Sequence, residues 1–273
     1  MSETPLTVLA VHAHPDDETI FTGGTLAAYA ARGVRVVVAT LTDGRLGYDE
    51  AGVPGNEPGH DELQTVLNRA VELSSALGEL GVVEHWSLGY GDSGMAGWPQ
   101  NTEEGTLCAS PVDEVVDQLV EIIEEVGPEV VLTYDANGFY GHPDHIRCHE
   151  VTVAAIERCS LDDIRFFEVA MPRGAVEAMV ALAGDQADQL PDWVHDTPSF
   201  AVPDDEVTTT IDVSEVAGAK YRALTKHATQ VDNAFFWELG EDLYGKLFGT
   251  EWYVARRNVP AGLCATDLLE GLS

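Results

Sequence analysis

The chain has 273 residues, of which 45% are hydrophobic, and this is enough to bury the core of an α/β domain. Its 47 acidic residues outnumber 14 basic ones, and the formal net charge of −33 repels phosphate backbones and anionic lipid surfaces. Because no apolar run reaches the roughly 20 residues of a membrane-spanning helix either, we expect neither nucleic-acid nor membrane binding.

Strand-like and helix-like segments alternate along the chain. Strands are predicted at residues 7–11, 34–40, 82–88, 129–134, 164–169, 207–213 and 252–256. Helices are predicted at residues 23–32, 62–80, 111–126, from 144 onward, and at 216–228. Loops rich in glycine and proline fill residues 43–60 and 89–110. Residues 171–205 are irregular and rich in Ala and Asp, with a helix plus a loop as the alternative. This alternation predicts an α/β fold with a doubly wound, Rossmann-like, mostly parallel sheet and helices on both faces.

The predicted helix at 62–80 has one apolar face, formed by Leu63, Val66, Ala70, Leu73 and Leu77. That face is expected to pack on the sheet. No linker interrupts the chain, so one domain, 1–273, is expected. In it, residues 1–170 form the Rossmann-like core, and residues 171–273 add strands and helices that complete a pocket.

Two similar motifs follow the first and fourth predicted strands. Residues 14–18 read His-Pro-Asp-Asp-Glu, and residues 141–145 read Gly-His-Pro-Asp-His. The carboxyl ends of parallel strands meet at one edge of a sheet, where ligands bind. A hydrolytic zinc site needs three nitrogen or oxygen ligands and one open position. One motif alone could be a helix cap made by Asp16 or Asp17, but two at matching positions favour a metal site. His12, at the end of a strand, is expected to be structural.

These motifs resemble those of the PIG-L/LmbE family of zinc-dependent N-acetylglucosaminyl deacetylases. The stretches at 92–97, 133–135 and 226–230 also resemble the actinobacterial mycothiol-type branch of that family. The resemblance covers the first 150 residues well and the C-terminal third loosely. It implies an LmbE-like fold and a hydrolase that removes an acetyl group from the linear amide of an N-acetylglucosaminyl-type substrate. It also implies one zinc ion per chain.

The resemblance implies that His14, Asp17 and His145 hold the zinc ion. It implies that Asp16 is the general base that deprotonates the attacking water and then the acid that protonates the leaving amine. The chemistry agrees, because a carboxylate beside a metal ligand can accept that proton within hydrogen-bond reach.

The remaining catalytic assignments come from the second motif and its neighbours. The resemblance implies that His142 stabilises or protonates the tetrahedral intermediate, that Asp144 orients and tunes its imidazole, and that Tyr140 donates to the oxyanion. Arg69 and Asp92 are implied as substrate contacts. A surface salt bridge is the alternative for Arg69, and a turn-forming role is the alternative for Asp92.

Two further features leave alternatives open. His227 could line the pocket or lie on a helix surface. Gly23 and Gly24 lack the GxGxxG spacing of a dinucleotide-binding motif. The four cysteines (Cys108, Cys148, Cys159 and Cys264) form no paired motif, so we expect free thiols. The cysteine usage and an N-terminus without the pattern of a secretory signal predict a cytoplasmic protein.

Rival functions remain: a mycothiol S-conjugate amidase-like hydrolase, a catalytically idle metal- or ligand-binding member of the fold, and a metal-dependent phosphoesterase. The conjugate amidases carry a lysine shortly after the first motif, and residues 19–23 have none. Asp16 and His142 favour an enzyme over a binding module, and only Arg147 offers positive charge near the motifs. The expected partner is a small amino-sugar conjugate. Homo-oligomerisation and iron(II) in place of zinc stay open.

Overall fold

The protein was analysed as a computed structural model that describes residues 5–183 and 200–272. The strands are β1 (Thr7–His12), β2 (Arg35–Thr42), β3 (Glu84–Tyr90), β4 (Val130–Thr133), β5 (Arg165–Ala170), β6 (Thr209–Asp212) and β7 (Thr250–Arg257). The helices are α1 (Asp17–Ala31), α2 (Glu62–Leu80), α3 (Val112–Val126), α4 (Gly138–Gly141), α5 (Pro143–Arg158), α6 (Arg173–Ala183), α7 (Ala217–Leu224), α8 (Ala234–Glu238) and α9 (Gly240–Phe248).

The strands form one seven-stranded sheet in the order β3-β2-β1-β4-β5-β7-β6. The first five strands in this order are parallel to one another, whereas β7 runs antiparallel to both β5 and β6. The predicted mostly parallel α/β sheet is therefore confirmed. Its antiparallel edge comes from the C-terminal strands.

The centre of the sheet positions the site. β1 and β4 are buried along their whole length, as their continuous Val, Leu and Ala runs require in a sheet covered on both faces. β1 pairs with β2 on one side and with β4 on the other, so the strand order reverses between β1 and β4. A reversal of this kind opens a crevice beyond the carboxyl ends of the two strands. Both His-Pro-Asp motifs lie in that crevice.

Helix α2 has its predicted bounds but a different buried face. Its N-cap Asp61 accepts a hydrogen bond from the backbone of Gln64, and Gly81 ends the helix in the left-handed conformation. Leu73 and Leu77 are buried, but Leu63 is 72% exposed and Ala70 is also exposed. The expected apolar stripe is therefore wrong in its first half. There, polar residues face inward, because Arg69 turns toward the site.

Helix α1 begins at Asp17 rather than at Gly23. The polar stretch 17–22 resembles a loop in sequence, but its side chains bond within the protein: Thr22 donates to the carbonyl of Glu18, and His12 pairs with Thr22. Because these partners satisfy the polar groups, the stretch is helical and largely buried.

The C-terminal third differs most from its predicted elements. The helix expected at 216–228 ends at Leu224, because the chain then turns back toward α1. Residues 171–205 were expected to be irregular or to hold a helix and a loop; residues 173–183 form helix α6, and residues 184–199 lie outside the described part. Helices α8 and α9 were not predicted, since Gly240 interrupts the apolar pattern that they share.

The main hydrophobic core lies between the sheet and its helices, and two smaller clusters involve the C-terminal helices and α6. β6 and β7 extend the same sheet, while the one-domain organisation stays a prediction. Within residues 5–183 and 200–272, no helix combines the length and hydrophobicity needed to cross a bilayer.

Candidate active site

Three side chains of the two motifs point at a common centre. His14 follows β1, Asp17 is the first residue of α1, and His145 lies in the first turn of α5. Nδ1 of His14 lies 3.2 Å from Nε2 of His145 and 3.3 Å from Oδ2 of Asp17. Nε2 of His145 lies 3.4 Å from the same oxygen of Asp17. All three residues are buried.

A divalent metal ion fits this centre. Ligands about 2.0–2.1 Å from a tetrahedral zinc ion lie about 3.4 Å from one another, which matches the observed separations. Two imidazole nitrogens and one carboxylate oxygen are also the donors of many hydrolytic zinc sites. His142 brings a further ring nitrogen within 4.8 Å of those of His14 and His145.

Tyr134 contacts two of these side chains, those of Asp17 and His145. Its hydroxyl donates to Oδ2 of Asp17 at 2.6 Å and accepts from the backbone N–H of Ala13 at 2.8 Å. Its ring stacks on that of His145, with the centroids 4.1 Å apart. Tyr134 therefore fixes the orientation of Asp17 and His145 together.

The site favours positive charge at the common centre. Burial raises the pKa of Asp17, but the nearby His145 and His14 lower it by more, so this pKa lies well below its usual range. Burial lowers the pKa of His14, but the carboxylates of Asp92, Asp144 and Asp17 raise it by more, so this pKa lies well above its usual range. A divalent cation would supply the positive charge that these carboxylates stabilise.

Asp16 lies beside the three convergent groups, with its backbone in an unusual conformation. Its φ is 122°, in a region that favours glycine. Oδ1 lies 3.2 Å from Nη2 of Arg69, and Oδ2 accepts a hydrogen bond from Asn233 at 3.1 Å. Burial raises the pKa of Asp16 to about 6, although Arg69 lowers it.

Asp144 has a contact in the structure that the sequence did not predict. Its Oδ2 lies 3.2 Å from Nε2 of His14 and accepts the backbone N–H of Ser93 at 2.8 Å. Its carboxylate therefore contacts His14, whereas Asp144 reaches the imidazole of His142 through its backbone N–H, and its role in tuning that imidazole stays a prediction. His142 caps α5, and its Nδ1 accepts the backbone N–H of Asp144 at 3.1 Å.

The surroundings of His142 favour its neutral form in the metal-free protein. Burial, together with the nearby His14 and His145, lowers its pKa to about 2. Because Nδ1 accepts a hydrogen bond, the proton of the neutral ring resides on Nε2. The neutral side chain therefore keeps a donor at its other ring nitrogen.

Tyr140 and Asp92 lie at the rim of the same site. The ring of Tyr140 packs edge-on against His145 with centroids 5.0 Å apart, and its side chain is half-exposed. Desolvation and the charge of Asp17 raise its pKa, so its hydroxyl keeps its proton. Oδ1 of Asp92 lies 3.6 Å from Nε2 of His14 and accepts the backbone N–H of Gly94 at 2.8 Å. Asp92 thus forms a turn and also faces the site.

Arg69 is buried, so the surface salt bridge considered for it is wrong. Nη2 donates to the carbonyl of Pro15, and Nη1 donates to that of Gly44 at 2.8 Å. Gly44 has a φ of 63°, and a Cβ there would lie 2.5 Å from Nη1 of Arg69. Only glycine allows this approach. The terminal nitrogens of Arg69 are thus bonded to the loops around Asp16.

Comparison with known proteins identifies the family. The sequence model described as GlcNAc-PI de-N-acetylase, or PIG-L, matches residues 9–156. A 1D-myo-inositol 2-acetamido-2-deoxy-alpha-D-glucopyranoside deacetylase of Acidothermus cellulolyticus is 42% identical over 268 residues, covering 93% of this chain and 91% of that protein. A protein of the same name from Actinosynnema mirum is 44% identical, covering 83% of this chain and 81% of its own length. The chain belongs to the PIG-L family.

A solved structure shows the same fold. The zinc-inhibited form of teicoplanin deacetylase is similar to this PIG-L protein, with a TM-score of 0.58 at 23% identity, covering 92% of this chain and 99% of the other. The expectations of a PIG-L/LmbE fold and of an amidohydrolase acting on an N-acetyl amide are confirmed. The roles of the individual site residues stay predictions.

Glu18 and Asn233 had no predicted role, although both contact residues of this PIG-L site. Glu18 and His227 are both completely buried, and Nε2 of His227 lies 3.0 Å from Oε1 of Glu18. The alternative of a helix-surface position for His227 is therefore wrong, and His227 lies behind Glu18 rather than among the residues that line the cavity. Glu18 was visible as a charged residue directly after the first motif. Nothing in the sequence near Asn233 indicated its contact with Asp16.

A cavity of about 900 Å³ lies over the convergent groups. Its lining includes polar side chains, among them Tyr48, Asn56, Glu57, Asp92 and Asp232, and apolar ones, among them Phe139, Met171, Phe200, Leu224 and Phe236. The cavity lies in the size range of pockets for small molecules. It can thus hold a small molecule that carries both polar and less polar groups.

Proposed function

We propose that this protein is a zinc-dependent deacetylase that hydrolyses the N-acetyl amide of an N-acetylglucosaminyl conjugate of inositol. The observation that carries the proposal is the convergence of His14, Asp17 and His145 beside the carboxylate of Asp16. The substrate is inferred from the relatives that are 42% and 44% identical, both of which are 1D-myo-inositol 2-acetamido-2-deoxy-alpha-D-glucopyranoside deacetylases. The polar side chains that line the cavity suit a sugar and a polyol.

His14, Asp17 and His145 would hold the metal ion. A divalent ion bound there would polarise the acyl carbonyl and lower the pKa of a water molecule to about 7. Nε2 of His14 faces the carboxylate of Asp144 at 3.2 Å, which leaves Nδ1 as the ligand atom. We propose zinc because of the mixed imidazole and carboxylate donors, and iron(II) is the alternative that metal analysis would identify.

Asp16 accepts the proton of the attacking water and returns a proton to the leaving amine. Arg69 and Asn233 contact its two carboxylate oxygens, so the side chain cannot rotate freely during the reaction. A base fixed within hydrogen-bond reach of the water contributes about 10²- to 10⁴-fold in rate.

His142 and Tyr140 donate hydrogen bonds to the oxyanion that forms on the acyl oxygen. Tyr140 donates its hydroxyl proton, and His142 donates from Nε2 as a neutral ring. A protonated imidazole is therefore not needed for this step. Loss of one such donor commonly costs about 10²- to 10³-fold in rate.

Asp92 is the residue that we propose for substrate binding, because its buried carboxylate lines the cavity. Carboxylates bind sugar hydroxyls by accepting their hydrogen bonds. Arg69 is assigned to the support of Asp16 instead, since its terminal nitrogens are bonded to protein groups. The partner that we propose is the small amino-sugar conjugate itself, and the cysteine usage supports the cytoplasmic location that we propose.

The test compares acetate and amine release from three amides: N-acetylglucosaminyl-inositol, N,N′-diacetylchitobiose and a mycothiol S-conjugate. We expect the inositol conjugate to have the highest kcat/KM, about one zinc ion per chain, and loss of activity after chelation that zinc restores. Preferred cleavage of the S-conjugate would instead favour the amidase. Metal binding without any amine release would favour an idle binding module.

A separate test of the mechanism uses the variant Asp16→Asn in metal-replete enzyme. It should bind zinc as the wild type does and lose at least about 10²-fold in kcat. Full activity of this variant would overturn the proposed mechanism even if the substrate were correct.

A further inference from the structure

A segment of the C-terminal third, residues 226–233, bonds to the elements around Asp16. Four of its side chains each contact a different part of the fold. The pairs are His227 with Glu18 of α1, Thr229 with Glu72 of α2, Gln230 with the backbone of Tyr48, and Asn233 with Asp16. The segment therefore links α1, α2 and the 43–60 loop to the position proposed for the base.

The peptide group between Pro15 and Asp16 is bonded on both sides. Its carbonyl accepts from Nη2 of Arg69, and its N–H donates to Oε2 of Glu18 at 2.9 Å. This is the peptide group that precedes the φ of 122° at Asp16. A backbone conformation that disfavours a side chain persists only where its surroundings hold it. Arg69 and Glu18 supply those contacts.

The buried carboxylate of Glu18 is held in place by its contact with His227. Glu18 is completely buried, and its Oε1 accepts from Thr19 at 2.6 Å and lies 3.0 Å from Nε2 of His227. A buried carboxylate is costly unless hydrogen bonds or an opposite charge compensate it. His227, which lies 209 positions away in the C-terminal segment, supplies this compensating contact.

Asn233 completes the arrangement at the carboxylate itself. Its Nδ2 donates to Oδ2 of Asp16 at 3.1 Å, opposite the contact of Arg69 with Oδ1 at 3.2 Å. Two donors on the two oxygens fix the rotation of the carboxylate plane. Asn233 is only partly buried, so its role in the core packing is small.

We propose that Glu18, His227 and Asn233 are positioning residues that hold Asp16 in its productive backbone and side-chain geometry. Glu18 and His227 act on the backbone N–H, and Asn233 acts on the carboxylate. None of the three is needed to hold the metal ion. The inference rests on the proposed function, in which Asp16 is the general base.

The first experiment uses the full-length, zinc-replete enzyme with Asn233→Ala. We expect kcat to fall about tenfold, because a misplaced catalytic group costs rate without much affecting ground-state binding. KM should stay within about twofold, and zinc content and thermal midpoint should match those of the wild type. Asn68→Ala is the matched control: the side chain of Asn68 accepts a hydrogen bond from Gln64 within α2, and its loss should leave kcat unchanged.

The second experiment tests the path through Glu18. His227→Ala should lower kcat by about 10- to 100-fold, whereas His227→Gln, whose amide can still donate to Glu18, should recover most of that loss. In an Asp16→Asn background neither Asn233→Ala nor His227→Ala should reduce kcat further, because residues that act as a unit are not additive. Full additivity in that background would overturn the proposal.

A crystal structure of Asn233→Ala gives a readout that does not depend on turnover. We expect the Asp16 carboxylate to rotate or shift while the three metal-binding side chains stay in place. An unmoved carboxylate, a rise in KM alone, or loss of zinc would each overturn the positioning role. If the structure changes as expected but wild-type enzyme releases no acetate, the proposed function fails while the positioning role stands.

Discussion

The strained backbone of Asp16 predicts an unusual order of stability for two substitutions. In the metal-free protein, Asp16→Gly should be more stable than Asp16→Ala by about 1 kcal/mol, because glycine adopts a φ of 122° without strain. At Asp113, in the first turn of α3, the order should reverse by about 1 kcal/mol. Chemical denaturation of the four variants measures both differences. The same order at both positions would contradict the strain at Asp16.

Tyr134 predicts a loss of metal affinity rather than of fold. Tyr134→Phe removes the donor to Asp17 and the acceptor for Ala13, so Asp17 loses its fixed orientation. We expect zinc affinity to fall by about 10- to 100-fold, as for other residues that orient metal ligands. Competition with a chromogenic chelator measures this. Tyr29→Phe is the control, because Tyr29 also donates to a carboxylate, that of Asp267, but far from the site.

Much of the site was predictable from single residues, but their mutual orientations were not. The two His-Pro-Asp motifs follow buried strands whose carboxyl ends meet, so the convergence of His14, Asp17 and His145 could be anticipated. The contact of the Asp144 carboxylate with His14 could not, because the two residues lie 130 positions apart in the sequence. The inward turn of Arg69 likewise depends on how α2 rotates against the loops.

At the scale of elements, the carboxylate of Asp267 links the segment after β7 to the end of α1. Asp267 accepts from Tyr29 and from Arg32, both at 2.8 Å. Burial raises the pKa of Asp267. The hydrogen bonds that it accepts from Arg32, the backbone of Leu269 and Tyr29 lower this pKa by more, so the net shift is downward. The contribution of this group to stability is therefore present above its unfolded pKa of about 3.9 and is lost as the pH falls through the lowered folded value.

Asp267→Asn should therefore destabilise the protein at pH 7 by about 0.5–1 kcal/mol, a small effect because Arg32 is half-exposed and solvent screens its charge. The difference from the wild type should shrink as the pH falls below about 3.9. Thermal unfolding as a function of pH checks this. Asp163→Asn, at an exposed position, is the control. A difference that stayed constant to low pH would contradict the role of this carboxylate.

The predicted elements were most accurate where a buried parallel strand dictates the sequence. β1 and β4 are continuous apolar runs, and α2 has both a capping Asp61 and a terminating Gly81, so local chemistry alone defines them. The start of α1 was missed because its first turns bury polar side chains. Helices α8 and α9 were missed because their apolar residues face a pocket as well as a core.

At the scale of the whole molecule, contacts between distant parts of the chain limit prediction. The alternation of strands and helices predicts the sheet, and the sheet predicts the edge where the site lies. The return of residues 226–233 to α1 has no local signature, because the bond of His227 to Glu18 spans 209 positions. Only the resemblance of residues 226–230 to the mycothiol-type branch indicated that this segment matters.

The net charge of −33 predicts that salt stabilises the fold. Like charges spread over a surface repel one another, and the Debye length falls from about 30 Å at 0.01 M salt to about 8 Å at 0.15 M. We expect the thermal midpoint of the metal-free protein to rise steadily over this range of sodium chloride. The exposed residues Glu121 and Glu125, one turn apart on α3, supply part of this repulsion.

Glu125→Lys turns that repulsion into an attraction. In 0.01 M salt it should stabilise the protein by about 0.3–0.5 kcal/mol, the usual size of such a helical pair, and this gain should largely disappear at 1 M salt. Glu125→Gln, which removes the charge without reversing it, should give about half of the effect. Denaturant titrations at the two salt concentrations measure both. A gain that persists at 1 M salt would mean that the substitution acts through packing or helix propensity, and the salt dependence of the fold would then need a cause other than surface repulsion.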